Sequence, residues 1–170
     1  MQRVLVLGCS GAGKSTFGRR LAAMLDLPLV HLDQQFWRPG WQKPEPNEWR
    51  DQVVALAGKP AWVMDGTYAN TFDIRMPRAD TLIWLDHPRS VCLRRVLTRM
   101  LAQYGRTRPD LPENCPERFD VAFLRYVWNF RKQQRPRIEN GIKTFGSHLR
   151  VIALRNDRDT RSFLASAGTA

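Results

Sequence analysis

Gly8, Gly13, Lys14 and Ser15 stand at the spacing G-x-x-x-x-G-K-S inside VLVLGCSGAGKST, residues 4 to 16. That spacing suits a phosphate chain. Glycines let backbone N–H groups turn inward at a helix N-terminus, the lysine reaches the terminal oxygens, and the hydroxyl can ligate Mg²⁺. Gly8, Ser10, Gly11, Ala12, Gly13, Lys14, Ser15 and Thr16 are the expected contacts to ATP, and Ser15 the expected metal ligand. ATP and Mg²⁺ are therefore the expected cofactors.

A second group of residues could act on the phosphate. The segment PRSVCLRRVLTRM predicts a helix from Pro88 to about Gln103, with Cys92, Leu93, Val96, Leu97, Met100 and Leu101 as its apolar stripe. Arg95 and Arg99 then lie one turn apart beside the stripe. Placed near the glycine loop, their guanidiniums can stabilise a phosphoryl group in transfer. Asp33, Asp65 and Asp86 each close an apolar run, where a carboxylate serves chemistry or caps the next element. Asp65 is the expected second metal ligand. Phe36, Trp37, Trp41 and Trp49 can stack a ring or form a small core of their own, and Tyr68 joins the candidate acceptor contacts. His31, His87 and His148 form no spaced set and are read as structural.

These residues need a frame. RVLVLG (3 to 8), PLVHLD (28 to 33), AWVMDG (61 to 66), TLIWLD (81 to 86) and LRVIAL (149 to 154) each read as a buried strand. Helical patterns lie between them, including Thr16 to Leu25 and a helix around 47 to 57. This alternation predicts an α/β fold whose parallel sheet is covered on both faces, with ligands at the carboxyl ends of the strands. Residues 34 to 48 and 104 to 118, rich in Pro with aromatics or Arg, are candidate flaps over that edge. The terminal SAGTA is expected to fray.

At 170 residues with 43% hydrophobic residues and six Trp, one domain spanning 1 to 170 is expected. Cys9, Cys92 and Cys115 show neither a disulfide framework nor zinc spacing, and no secretory or membrane-spanning pattern is evident. A cytoplasmic protein without membrane partners is expected. The net charge of +11 points to a polyanionic partner, and residues 75 to 137 hold 14 of the 27 Lys and Arg, which places that partner over one region.

Guanine-specific switches carry Asn-Lys-x-Asp, which is absent, and no strand ends in the acidic pair of motors and helicases. A small phosphotransferase remains. With its glycine loop, VMDG strand end and DTLIWLDHPRSVCLRRVLTRM, the chain resembles the adenylate-kinase-related group of P-loop kinases. HLDQQFWRPGW, WVMDGTY and GRTRPD…CPERFD…FLRYVW are more similar still to bacterial proteins labelled DNA topology modulation proteins, a label that defines no reaction. The resemblance implies a three-layer P-loop NTPase fold with a five-stranded parallel sheet, a flap at about 34 to 60 and an Arg-bearing lid at about 104 to 137. It also places Asn156 and Asp157 on the adenine side.

Relatives that phosphorylate nucleoside monophosphates follow the strand-end Asp-Gly closely with Pro-Arg. Here DGTYANTFDIR has no Arg before Arg75, so Arg75 and Arg38 are the candidates to hold an acceptor phosphate. Asp33 resembles the acid that hydroxyl kinases of the superfamily place beside their acceptor, where it can orient a hydroxyl and take its proton. The expected activity is transfer of the γ-phosphoryl of Mg·ATP to a nucleotide or a small hydroxylated metabolite. A nucleic-acid-associated ATPase and a nucleotide-binding regulator are the alternatives. DNA is the less favoured partner, because enclosing a triphosphate already accounts for a basic lid.

Lys14→Ala should abolish productive ATP binding or turnover and leave the fold intact, because it removes charge compensation without opening a cavity. Nucleotide titration beside circular dichroism checks this. Unchanged Mg·ATP affinity and turnover would contradict it.

Overall fold

A strand with neighbours on both edges and helices on both faces has no wet side, so its sequence is continuously apolar rather than alternating. In the computed structural model, which describes residues 1–167, Val4 to Leu7 and Trp62 to Met64 are fully buried on this principle. The strands are β1 (Arg3–Gly8), β2 (Leu29–His31), β3 (Trp62–Asp65), β4 (Thr81–Leu85) and β5 (Arg150–Leu154). They form one parallel sheet in the order β2-β3-β1-β4-β5. β1 is central, with earlier strands on one side and later ones on the other, so a crevice opens at its carboxyl end.

The longer helices are α1 (Lys14–Leu25), α3 (Pro46–Ala57), α5 (Arg89–Ala102), α6 (Val121–Gln133), α7 (Arg135–Phe145) and α8 (Asp157–Ala167). Short α2 (Leu32–Phe36) and α4 (Phe72–Arg75) complete the set. α1 lies across β1, β2 and β3 and meets α8, where the Phe17 and Phe163 rings are 6.0 Å apart. α5, α6 and α7 pack in series, and α7 reaches back to α4. Residues 103 to 120 are irregular, held by the isolated pairs Tyr104–Glu117 and Thr107–Pro116.

Three expectations are amended. β2 stops at His31, so Asp33 sits in the first turn of α2 rather than at a strand end. β5 is an edge strand whose Arg150, Val151 and Ala153 are exposed, because nothing pairs beyond it. In α5 only Cys92, Val96 and Met100 are buried, while Leu101 is 78% exposed. Ser166 and Ala167 of the terminal SAGTA close α8, and residues 168 to 170 lie outside the described residues.

Arg75 also needs correction. Expected to hold an acceptor phosphate, it is fully buried, and burial pushes its pKa down to about 9. Its guanidinium donates to the carbonyls of Gly66 (3.0 Å), Thr67 (2.6 Å) and Tyr68 (3.0 Å) and to the Thr71 hydroxyl (2.9 Å). It fastens the turn after β3. Four of its five N–H groups are used in this way, and the guanidinium is 0% exposed.

Arg75→Met should therefore cost about 3 kcal/mol, since it orphans several buried acceptors at once. Denaturant unfolding checks this. A loss under about 0.5 kcal/mol, the size of an ordinary surface substitution, would contradict the structural role.

Candidate phosphate site and its lid

The glycine loop leaves β1 at Gly8 and enters α1 through Gly13, whose φ of +93° only glycine adopts freely. A Cβ on Gly11 would come within 2.3 Å of the Cys92 carbonyl oxygen, so the loop can lie directly on α5 only with glycine there. Thr67 clips the loop from the other side: its Oγ1 accepts from the Gly8 N–H (3.2 Å) and donates to the Gly8 carbonyl (2.9 Å). Ala12 is buried, and Ser10 and Thr16 flank the turn, half-buried and exposed respectively.

Among the described residues no side chain caps α1, and no acidic residue occupies its first turn. Its leading N–H groups are thus free for an anion, at the positive end of the helix dipole. Lys14 bridges the loop, its Nζ donating to the Cys9 carbonyl at 3.2 Å. Ser15 turns towards the irregular segment and donates to Asp110 Oδ2 at 2.9 Å.

That contact begins a chain of charges. Arg108 donates to the same Asp110 oxygen at 2.9 Å and approaches Glu117 Oε1 at 2.8 Å; Arg99 approaches that Glu117 oxygen at 2.9 Å. Asp110 and Glu117 are 6% and 5% exposed, so these pairs are little screened by solvent. Burial works against the charge on Asp110, but Arg108 and the Ser15 hydroxyl hold its carboxyl below the usual range. Burial, then the neighbouring Arg108, lowers the pKa of Arg99. Arg95 leaves α5 one turn earlier and goes elsewhere. It grips both oxygens of Asp157 at the start of α8 (2.8 and 2.6 Å) and donates to His87 Nδ1 at 3.4 Å. The structure thus separates the two arginines expected to act together.

Two further carboxylates stand at the sheet edge. Asp65 Oδ1 pairs with His31 Nδ1 at 2.9 Å, across the β2–β3 register. Its Oδ2 is buried without a hydrogen-bond partner among the described residues. Asp65 packs its Cβ beside Gly18 of α1, one turn from Ser15. Asp33 accepts from the Tyr68 hydroxyl at 2.7 Å. Burial, reinforced by the Asp33 charge, pushes the Tyr68 pKa far up, so the phenol remains a donor. Asp33 is also within electrostatic reach of Arg99 and Tyr126.

Phe36 joins the flap aromatics, its ring 5.0 Å from Trp37, 5.0 Å from Trp49 and 4.9 Å from Tyr68. Trp49 is 1% exposed and serves as flap core, whereas Trp37 is half-buried and can still meet a ligand. Arg38 is exposed and pairs with Glu48 of α3. Sequence reasoning missed Asp110, Glu117 and Tyr126 and set His31 aside. An acid inside the arginine-rich RTRPDLPENCPER was the available signal, since a crowd of guanidiniums needs compensation.

A glycine-rich turn between β1 and α1, with a five-stranded parallel sheet and surrounding helices, defines a P-loop kinase-like fold. The chain belongs to the AAA domain family, whose model matches residues 4–107. Shikimate kinase from Acinetobacter baumannii in complex with shikimate is similar in structure, with TM-score 0.64, 16% identity, and 98% of this chain and 90% of that one covered. Shikimate kinase from Bacteroides thetaiotaomicron gives 0.60 and 16%, covering 97% and 95%. A putative kinase from Chloroflexus aurantiacus gives 0.51 and 15%, covering 99% and 98%. No curated protein matches the sequence.

Burial works against the His31 imidazolium, yet the hydrogen bond and charge of Asp65, aided by Asp110, outweigh it and raise the pKa. The stability from this pair is complete below about pH 6.5 and is lost as pH rises through the raised native value. A histidine NMR titration should place His31 above about 6.5, and Asp65→Asn should lower it. A native His31 titrating below that value would contradict the pairing.

Proposed function

We propose that this chain is a Mg²⁺-dependent ATP phosphotransferase whose acceptor is a small molecule presenting a hydroxyl. The observation that carries this reading is Asp33, held by the Tyr68 hydroxyl at 2.7 Å beside the flap aromatics, while Arg75 is spent on backbone carbonyls. With Arg75 unavailable, a nucleoside monophosphate would have to rely on Arg38 or another cation for its phosphate. The structurally similar shikimate kinase from Acinetobacter baumannii, described in complex with shikimate, adds support for a small-molecule acceptor.

In this reading the N–H groups at the start of α1 and Lys14 bind the phosphates, and Ser15 with the unpartnered Asp65 Oδ2 suits a hard divalent cation. That cation, carried in with ATP, would neutralise charge on the phosphate oxygens. Arg99 offsets the charge spread over the moving phosphoryl group, whereas Arg95 is engaged by Asp157. Asp33 accepts the proton of the acceptor hydroxyl as its oxygen bonds to phosphorus and the bond to the β-phosphate oxygen breaks. The chain works as one domain, with residues 34 to 60 as flap and 104 to 137 as lid.

The finer likeness to proteins labelled DNA topology modulation adds no reaction to this proposal. Arg99 and Arg108 are turned inward onto Glu117 and Asp110, so the lid does not offer them to a duplex. No helix among the described residues is long and apolar enough to cross a membrane, and work in the cytoplasm is part of the proposal.

Incubation with γ-labelled ATP and a panel of hydroxylated metabolites and nucleotides should label a hydroxyl acceptor. With it, Asp33→Asn should lower kcat by about 10² or more and leave ATP affinity within about twofold. Full hydroxyl transfer by the Asn variant, or label accepted only by nucleotide phosphate, would contradict the assignment.

A further inference from the structure

Taking a carboxylate and an arginine out of water together is costly, so a buried pair of this kind is weak evidence of stability and invites another role. Glu117 forms such a pair. Its side chain is 5% exposed, and its Oε1 stands 2.9 Å from Arg99 Nε and 2.8 Å from Arg108 Nε. Both guanidiniums are met from the side. An acid that only neutralised Arg99 would favour the two-pronged contact with its terminal nitrogens, whereas the approach through Nε leaves that end of the fork open. Arg108 uses its Nη1 on Asp110 at 2.9 Å. The terminal nitrogens of Arg99 make no hydrogen bond among the described residues, and 21% of its side chain stays exposed. Arg99 is within electrostatic reach of Asp33 on the acceptor side and of Asp110, which accepts from Ser15 of the loop.

Glu117 is itself anchored through its backbone. Its N–H donates to the Arg106 carbonyl and its carbonyl accepts from the Gly105 N–H, each at 2.9 Å, just beyond the end of α5. The flap docks on the residues before it. Gly40 N–H donates to the Asn114 carbonyl (3.0 Å), Trp41 Nε1 to the Pro116 carbonyl (3.2 Å), and Cys115 Sγ to the Arg38 carbonyl (3.3 Å). The carboxylate is therefore fixed from two sides.

We infer that Glu117 is a positioning residue for phosphoryl transfer, holding Arg99 by its Nε so that the terminal nitrogens stay free for the oxygens of the moving group. This deepens the proposed function and rests on it. A free arginine must give up rotamer freedom each time it engages a ligand, and an anchored acid removes that loss beforehand.

ADP with aluminium fluoride mimics the moving phosphoryl group, and such analogues bind far more tightly than ground-state ligands. Mg·ADP titrations with and without aluminium fluoride, on wild type, Glu117→Gln, Arg99→Ala and the double variant, test the inference. Glu117→Gln keeps a side-chain oxygen at the same reach, and melting without nucleotide checks its fold. Aluminium fluoride should tighten ADP binding to the wild type, and Glu117→Gln should lose about tenfold or more of that tightening with ADP affinity held within about twofold. In the Arg99→Ala background the same substitution should change the tightening by less than about twofold, because Glu117 acts through Arg99. Full tightening in Glu117→Gln, a further tenfold loss in the double variant, or a wild type that binds ADP without tightening overturns the inference and leaves the phosphotransferase reading standing. A wild type that binds neither ADP nor its fluoride complex overturns both.

Discussion

The row of uncapped N–H groups at the start of α1 is the constraint on which the rest of the structure depends. Among the described residues no side chain caps them, and the N-cap position is Gly13, which has no side chain to do so. Such an end is stable only where water or an anion completes it. The surrounding parts hold that end open. β1 delivers the loop from the centre of the sheet, Gly11 rests on the Cys92 carbonyl, and Thr67 closes the other side. Arg75, fully buried, fixes the turn that carries Thr67 and Tyr68.

The proposed function connects the excess positive charge to the same constraint. On the proposed function, a triphosphate over α1 would concentrate negative charge, and basic residues in 104 to 137 would lower the cost of enclosing it. Half-buried guanidiniums need compensation, and Asp110 and Glu117 provide it to Arg108 and to Arg99 of α5. In the proposed transfer, such a fixed set of charges would leave little reorganisation. Arg95 serves a separate joint, binding α5 to α8 where β5 ends.

What could be read from the sequence was what repeats or is spaced locally. Apolar runs gave all five strands, and the loop spacing placed Gly8 to Ser15 between β1 and α1. The pairing of Arg99 with Glu117 was hidden, because an irregular lid brings residues together without a period. Arg75 misled for a related reason. An arginine downstream of Asp-Gly suggests a phosphate ligand, but the turn between them folds back, and its inward carbonyls need a donor more than a substrate does. Asp33 shifted from strand end to α2 because β2 has only three residues before the chain bends.

Hydrogen exchange on the wild-type protein, with Mg·ATP or duplex DNA added separately, tests the claim that loop and lid form one nucleotide site. Mg·ATP should slow exchange together at residues 9 to 17 and 104 to 120, while DNA leaves both unchanged. Protection of the lid by DNA with none by Mg·ATP would contradict the account.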